Sequence, residues 1–120
     1  MKIQSVKTVR TSGFTLVEIM IVVAIIALLA AIAIPNFVKA RASSQKAACI
    51  ANLKQVNGAK ATWALEQKKT NSDVPVDTDL FGNTAYIRIA PSCPGAGTYA
   101  LLAVSLTPTC TLSGSDGHTL

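Results

Sequence analysis

Histidine and acidic residues are scarce in this sequence, and their scarcity argues against several classes of function. The chain has one histidine, His118, and six acidic residues. The sequence shows no second histidine or cysteine at ligand spacing from His118, no arrangement typical of nucleophilic catalysis and no phosphate-binding loop. We therefore predict that the protein is not an enzyme, that it holds no metal, and that His118 has no role.

Long runs of lysine and arginine are also missing, although the net charge is +5. Three of the basic residues, Lys2, Lys7 and Arg10, precede every acidic residue. Without residues 1–13, eight basic and six acidic residues remain, a net charge of +2. The pattern predicts a short basic leader at residues 1–13 and no direct nucleic-acid binding.

Apolar residues, by contrast, are concentrated in one segment, residues 14–34. Sixteen of them follow Glu18 without interruption, from Ile19 to Ile34. As a helix the segment would be about 31 Å long, which matches the hydrocarbon core of a bilayer. It is apolar on every face and therefore predicts a transmembrane or filament-core helix. The basic leader favours a cytoplasmic N-terminus.

A second interpretation of the same segment is a secretory signal peptide that is cut after Ala33. Such a cut would release a small exported binding domain stapled by a disulfide. The apolar run is longer than a usual signal sequence, and Glu18 is misplaced in one. The residues after Ile34 also favour a helix, so the run is better interpreted as the first half of a longer helix.

Glu18 is the one charged residue in residues 14–34. A carboxylate inside a bilayer costs about 2.5–3.5 kcal/mol and therefore needs a partner. The uncut leader offers no base at helical spacing. A cut between Gly13 and Phe14 would create a positively charged amine one helical turn before Glu18. That amine could belong to the same chain or to a neighbouring one.

The basic leader, Gly13, the sequence Phe14-Thr15-Leu16-Val17-Glu18 and the apolar helix together resemble the prepilin class III signal of type IV pilins and type II secretion pseudopilins. The resemblance covers about residues 10–36, and Pro35 agrees with it. It implies that a membrane-embedded prepilin peptidase cuts after Gly13 and methylates the new N-terminal Phe14. It also implies that Glu18 docks each subunit against the amine of a neighbour in a filament.

The same resemblance implies the location and the partners of the protein. The subunit would wait in the lipid of the bacterial inner membrane, with its N-terminus in the cytoplasm. It would then join identical or related pilin subunits on an inner-membrane assembly platform. The product would be a periplasmic pseudopilus or a cell-surface pilus, and the sequence leaves both open.

Helix-forming residues continue the apolar helix through residues 35–70. Pro35 is expected to kink the helix without ending it. Apolar residues recur every seven positions and predict an amphipathic second half that packs on a small domain: Ala42, Cys49, Val56 and Trp63. Asn71-Ser72-Asp73 and Pro75 predict the end of the helix.

Residues 71–120 predict a small β-rich region, so the expected fold class is α+β. Alternating or apolar stretches predict an antiparallel sheet of about three strands, at 86–89, 99–106 and 109–112. Cys93 and Cys110 flank the middle strand, and a disulfide between them would contribute about 3 kcal/mol. Disulfide-closed loops in pilins support this pairing, and the alternative is two unpaired thiols. Cys49 is expected to be a small buried apolar residue, with a bridge to the tail left open.

The resemblance also raises the question of calcium binding, because major pseudopilins often bind calcium near their C-terminal region. Four aspartates follow the predicted helix, and they do not form a recognisable calcium loop: Asp73, Asp77, Asp79 and Asp116. We expect solvated loop residues here and no cofactor.

Overall fold

The computed structural model describes Lys2 and residues 8–120. Met1 and residues 3–7 of the predicted leader, including Lys7, therefore lie outside the described residues. Clustered contacts divide the chain into two compact units, Met1–Phe37 and Val38–Leu120, and each is described by itself. The elements are helices α1 (Leu16–Glu66), α2 (Asp77–Leu80) and α3 (Ser113–Asp116) and strands β1 (Tyr99–Ala100) and β2 (Thr109–Cys110).

Helix α1 is 51 residues long and contains Pro35 in its interior. The predicted continuation of the helix past Pro35 is confirmed, and the kink stays a prediction. By length and composition, α1 is the one helix among the described residues that could cross a membrane. In the first unit the large apolar side chains are exposed, from 52% at Ile19 to 86% at Phe14. This unit thus offers its apolar surface to surroundings outside the chain.

The C-terminal end of α1 lies at Glu66, slightly before the predicted boundary. Lys68 takes a left-handed backbone conformation, with φ at 52°. The Lys69 N–H donates to the Ala64 carbonyl at 2.8 Å, and the Lys68 N–H donates to the Leu65 carbonyl at 3.4 Å. These bonds form a Schellman motif, which usually has glycine where Lys68 stands. The absence of that glycine explains why the sequence did not indicate the stop.

The second unit packs two apolar clusters against the later turns of α1. One contains Val56, Ala59, Trp63 and Ala64 with Leu80 and Ile87, and the other contains Cys49, Leu53, Cys93 and Cys110. The predicted stripe on α1 is confirmed from Cys49 onward. Ala42, at the start of the stripe, is exposed.

The α+β fold class is confirmed, but the sheet has two strands where about three were expected. Tyr99 pairs with Cys110 and Ala100 with Thr109 in an antiparallel register. The predicted strand at 86–89 is reduced to an isolated parallel bridge between Phe81 and Ile87. The Ile87 N–H donates to the Leu80 carbonyl and the Ile87 carbonyl accepts from Gly82, both at 2.9 Å.

The predicted strand at 99–106 stops at Ala100. Leu102 adopts a left-handed conformation, with φ at 54°, which no strand can continue. The N–H groups of Val104 and Ser105 donate to the carbonyls of Asp73 and Asn71, each at 3.0 Å. The backbone of this stretch is therefore satisfied by a neighbouring loop instead of a strand.

The side chain of Lys60 binds the backbone of residues 101–106. It lies on α1 and is only 1% exposed. Its Nζ donates to the carbonyls of Leu101 and Ala103, each at 2.9 Å, and also to that of Leu106. A buried ammonium group is stable only when its donors are satisfied, and here three carbonyls satisfy it.

We expect Lys60→Met to destabilise the second unit by about 3 kcal/mol. The variant removes charge-assisted hydrogen bonds and leaves three carbonyls without their donor. Denaturant unfolding of the full chain in detergent, followed by Trp63 fluorescence, measures the change. Lys54→Met is the matched control on an exposed face of the same helix, and its stability should stay close to that of the unaltered chain. Equal effects from both variants would contradict this role of Lys60.

Candidate functional site

The predicted cleavage bond lies in an exposed stretch just before α1. Residues 8–15 form neither helix nor strand, and Gly13 and Phe14 are both exposed. A Cβ atom built on Gly13 would meet no heavy atom within 4 Å. The Gly13–Phe14 bond is therefore open to an approaching protease, and nothing in the described chain requires glycine there.

Thr15 and Glu18 form a reciprocal cap at the start of α1. The Thr15 N–H donates to Glu18 Oε2 at 2.8 Å, and the Glu18 N–H donates to Thr15 Oγ1 at 3.2 Å. This is the capping box, a threonine followed three residues later by glutamate. The carboxylate also lies in the first turn of the helix, where the helix dipole favours an anion.

This cap corrects the expectation that Glu18 has no partner in the uncut chain. That expectation considered only charged partners and overlooked backbone donors. The Thr-x-x-Glu signature was visible in the sequence ahead of an apolar run, and it would have predicted both the cap and the helix start. Glu18 thus has a local structural role before any cut is made.

A second group of chemically active side chains lies in the second unit, around the three cysteines. Cys49 comes from α1, Cys93 from the loop before β1, Cys110 from β2, and His118 from the tail after α3. All four are buried, and their ligand atoms lie within 4.8 Å of one another. The Cys93 Sγ is 3.5 Å from His118 Nδ1.

Sequence reasoning brought Cys93 and Cys110 together but missed His118. The structure holds all three cysteines as free thiols, so the predicted Cys93–Cys110 disulfide stays a prediction. His118, which was assigned no role, belongs to this group. No local spacing could have indicated this, because the four residues come from four different segments of the chain.

The loop backbone at Gly95 and Gly97 lies close to the Cys93 sulfur, since Cβ atoms built there would be 3.7 Å and 3.3 Å from it. Burial raises the pKa of the Cys93 thiol, but the polar groups of Gly97, Gly95, Cys49 and His118 together outweigh burial and lower that pKa. A Cβ atom on Gly97 would lie 2.5 Å from Cys110 Sγ, so the loop approaches the cysteines closely only because this residue is glycine. The loop therefore favours a thiolate at Cys93.

Tyr99 packs against the cluster that contains Cys49. Burial, with the nearby Cys49 thiol, raises the pKa of the Tyr99 hydroxyl. Asn52 Nδ2 donates to the Tyr99 hydroxyl at 3.2 Å and to the Ser92 carbonyl at 3.0 Å. These two bonds hold Tyr99 in place beside the cysteines.

The family described as "Prokaryotic N-terminal methylation motif" matches residues 9–34. This range contains the exposed Gly13–Phe14 bond, the Glu18 cap and the apolar start of α1. The chain carries the prokaryotic N-terminal methylation motif. The resemblance to type IV pilins and type II secretion pseudopilins is confirmed.

The curated relatives of this chain include type IV pilus proteins and a type II secretion system protein. It is 50% identical over 60 residues to the type IV major pilin protein PilA of Myxococcus xanthus, covering 50% of this chain and 27% of that one. It is 29% identical to the type IV wide pilus major component PilA4 of Thermus thermophilus, covering 92% of this chain and 79% of that one. It is 25% identical to the type II secretion system core protein G of Klebsiella michiganensis, covering 76% of this chain and 72% of that one.

The chain thus spans about a quarter of the Myxococcus relative and most of the other two. No solved structure matches it. The Myxococcus and Thermus relatives are pilus components by their names, which agrees with the prediction of a structural role.

Two of the four aspartates that were expected to be solvated loop residues, Asp73 and Asp79, accept local hydrogen bonds. Asp73 Oδ2 accepts from the Thr70 N–H at 2.7 Å and from its hydroxyl at 3.1 Å. These two bonds lower the pKa of Asp73. Asp79 Oδ2 accepts from the Val76 N–H at 3.0 Å. Both carboxylates therefore act as caps of short turns.

Proposed function

We propose that this protein is a structural subunit of a type IV pilus or a type II secretion pseudopilus, processed after Gly13 and assembled through α1. The observation that carries the proposal is the methylation motif on residues 9–34, which places an exposed Gly13–Phe14 bond directly before an exposed apolar helix. The relatives support both kinds of filament, so the proposal covers both.

The exposed apolar surface of the first unit explains why such a chain would assemble. The large apolar side chains between Phe14 and Phe37 are all more than half exposed. In the membrane, lipid would cover them, and in a filament the same helix of neighbouring copies would do so. Both environments keep this surface out of water, which is worth about 25 cal/mol for each Å² buried, so a subunit that leaves the lipid needs neighbouring helices around α1.

Glu18 would set the register of that packing. Its Oε2 is held by the Thr15 N–H, while among the described residues its Oε1 accepts no hydrogen bond. A carboxylate has room for about four hydrogen-bond donors, so the cap leaves capacity for another. We assign that capacity to the methylated amine of Phe14 in a neighbouring subunit. Pairing the two charges in an apolar bundle is far better than leaving either one alone.

The proposed path begins in the inner membrane, with the basic leader in the cytoplasm. The prepilin peptidase would remove residues 1–13 and methylate Phe14. An inner-membrane assembly platform would then transfer the subunit into a periplasmic or cell-surface filament. A signal-peptidase cut after Ala33 has no support in the structure, because α1 runs unbroken through that position.

Filament imaging tests this function directly. Deletion of the gene should remove a class of filament from the cell surface, or from cells that overproduce the secretion machinery. Complementation with the unaltered chain should restore it, and sheared filaments should contain the chain as a main component. Unchanged filaments after deletion, together with a soluble protein released from the cell, would contradict the proposal and favour an exported binding domain.

A further inference from the structure

We propose that Cys49, Cys93, Cys110 and His118 form a structural zinc(II) site that fastens the C-terminal loops to α1. Neither the expected disulfide nor the filament role accounts for the convergence of four such side chains. The inference does not rest on the proposed function, because the site lies within Val38–Leu120 and needs no assembly.

The arrangement fits the coordination chemistry of zinc. Three thiolates and one imidazole around a tetrahedral ion make a closed structural site, with zinc–sulfur distances of about 2.3 Å and zinc–nitrogen distances of about 2.0–2.1 Å. Those bond lengths require sulfur–sulfur separations of roughly 3.8 Å and sulfur–nitrogen separations of roughly 3.5 Å. The ligand atoms already lie within 4.8 Å of one another, and Cys93 Sγ and His118 Nδ1 are 3.5 Å apart. Binding zinc would therefore require only small inward movements of the four ligand atoms.

The surroundings of the sulfurs also fit a metal-bound state. Gly95 and Gly97 bring the loop backbone close to the Cys93 sulfur, and Tyr99 packs against the cluster that contains Cys49. Polar groups placed this close to metal ligands commonly orient them. Soft thiolates with one imidazole in a tetrahedral arrangement select zinc over calcium or magnesium.

A Cys93–Cys110 disulfide is the competing state of the same residues. It would use two of the four ligands and leave the Cys49 thiol and the His118 ring buried beside it without a shared function. The bridge and the zinc site exclude each other, since a sulfur in a disulfide is no longer a thiolate ligand. Determining which state exists therefore decides the proposal.

The zinc site would supply a staple that this unit otherwise lacks. The sheet has only two strands of two residues each. Domains of this size commonly need a metal or a disulfide to be stable. Zinc would join α1, β2 and the tail at one point. A cavity of about 360 Å³, lined in part by Lys46, Asp116 and His118, gives an ion a path to the histidine edge of the group.

Cobalt(II) titration of the full chain tests the site. The chain is purified in detergent under reducing, oxygen-free conditions, stripped with a chelator, and titrated with cobalt(II) chloride and then zinc(II) chloride. We expect one cobalt ion per chain, with tetrahedral visible bands and a sulfur-to-cobalt charge-transfer band, both of which zinc abolishes. A cobalt spectrum without these features would overturn the proposal.

Two variants and a control keep this test independent of folding defects. His118→Ala should weaken zinc binding more than about 100-fold, and Tyr99→Phe should weaken it about 10-fold while keeping every ligand. Asp116→Asn, at the mouth of the cavity, should bind zinc as the unaltered chain does. Unchanged affinity in both His118→Ala and Tyr99→Phe would rule out the proposed ligand set.

Native mass spectrometry of the chain isolated from its own host gives the deciding observation. We expect a zinc adduct with three reduced cysteines. A zinc-free chain that is lighter by two hydrogens, with Cys93 linked to Cys110, would overturn the site. Either outcome is independent of whether filaments form, so it leaves the filament proposal unaffected.

Discussion

Gly13→Leu should leave residues 1–13 attached to the chain and abolish filaments. The cleavage bond follows Gly13, and a leucine there places four additional carbon atoms against the proposed peptidase pocket. A pocket that accepts glycine should process such a chain more than about 100-fold more slowly. The uncut chain then keeps a peptide bond where assembly needs the Phe14 amine. Immunoblotting of membranes measures the size of the chain, and electron microscopy measures the filaments.

The structure makes this substitution a clean test. Among the described residues beyond its chain neighbours, no heavy atom lies within 4 Å of a Cβ built on Gly13, so leucine should not disturb that part of the chain. Gly58→Ala is the matched control, because Gly58 is equally open but far from the cut. It should be processed and assembled normally, and α1 should gain up to about 1 kcal/mol in stability from the better helix former. Complete processing of Gly13→Leu would show that the cut lies elsewhere.

Glu18→Gln should permit cleavage yet prevent most assembly. Glutamine keeps the size of the side chain and an oxygen that accepts the Thr15 N–H, so the cap at the start of α1 survives. It removes the negative charge, which leaves a buried amine in the filament without its counter-charge. Removing one partner of a buried ion pair costs about 3–5 kcal/mol, equivalent to roughly 10²–10⁴-fold in subunit affinity at each contact. Quantitative recovery of sheared filaments measures the loss.

Thr15→Val separates the capping role of Glu18 from its assembly role. Valine has nearly the same shape as threonine but cannot accept the Glu18 N–H, so one half of the cap is lost. The expected cost is about 1 kcal/mol at the helix start, with the charge of Glu18 intact. Filaments should therefore be close to normal. If Thr15→Val abolished filaments and Glu18→Gln did not, the cap would matter and the charge pairing would be refuted.

The long helix and its buried face were the most predictable parts of the fold. Both come from local properties: good helix formers, a continuous apolar run, and a seven-residue recurrence that places Cys49, Val56 and Trp63 on one side. The capping box was equally local, since Thr15 and Glu18 lie three residues apart, but it engages backbone donors and no second charge. The helix ends a few residues before the predicted boundary because Lys68 adopts a left-handed conformation for which glycine is the usual residue.

The β-rich region was predicted less well because its order depends on contacts between distant segments. Tyr99 to Leu106 has the composition of a strand. Lys60, some forty positions earlier, binds three carbonyls of this stretch, and Leu102 is left-handed, so the stretch is not a strand beyond Ala100. His118 was missed for the same reason. It joins the cysteines only after four separate segments have folded together, so no spacing in the sequence indicates it.

The mass of the N-terminal peptide from sheared filaments tests the central claim most directly. Cleavage after Gly13 followed by methylation predicts a subunit that begins at N-methylated Phe14 and retains Glu18. A subunit that begins at Ile34, or one that still carries Met1 and the leader, would contradict the account.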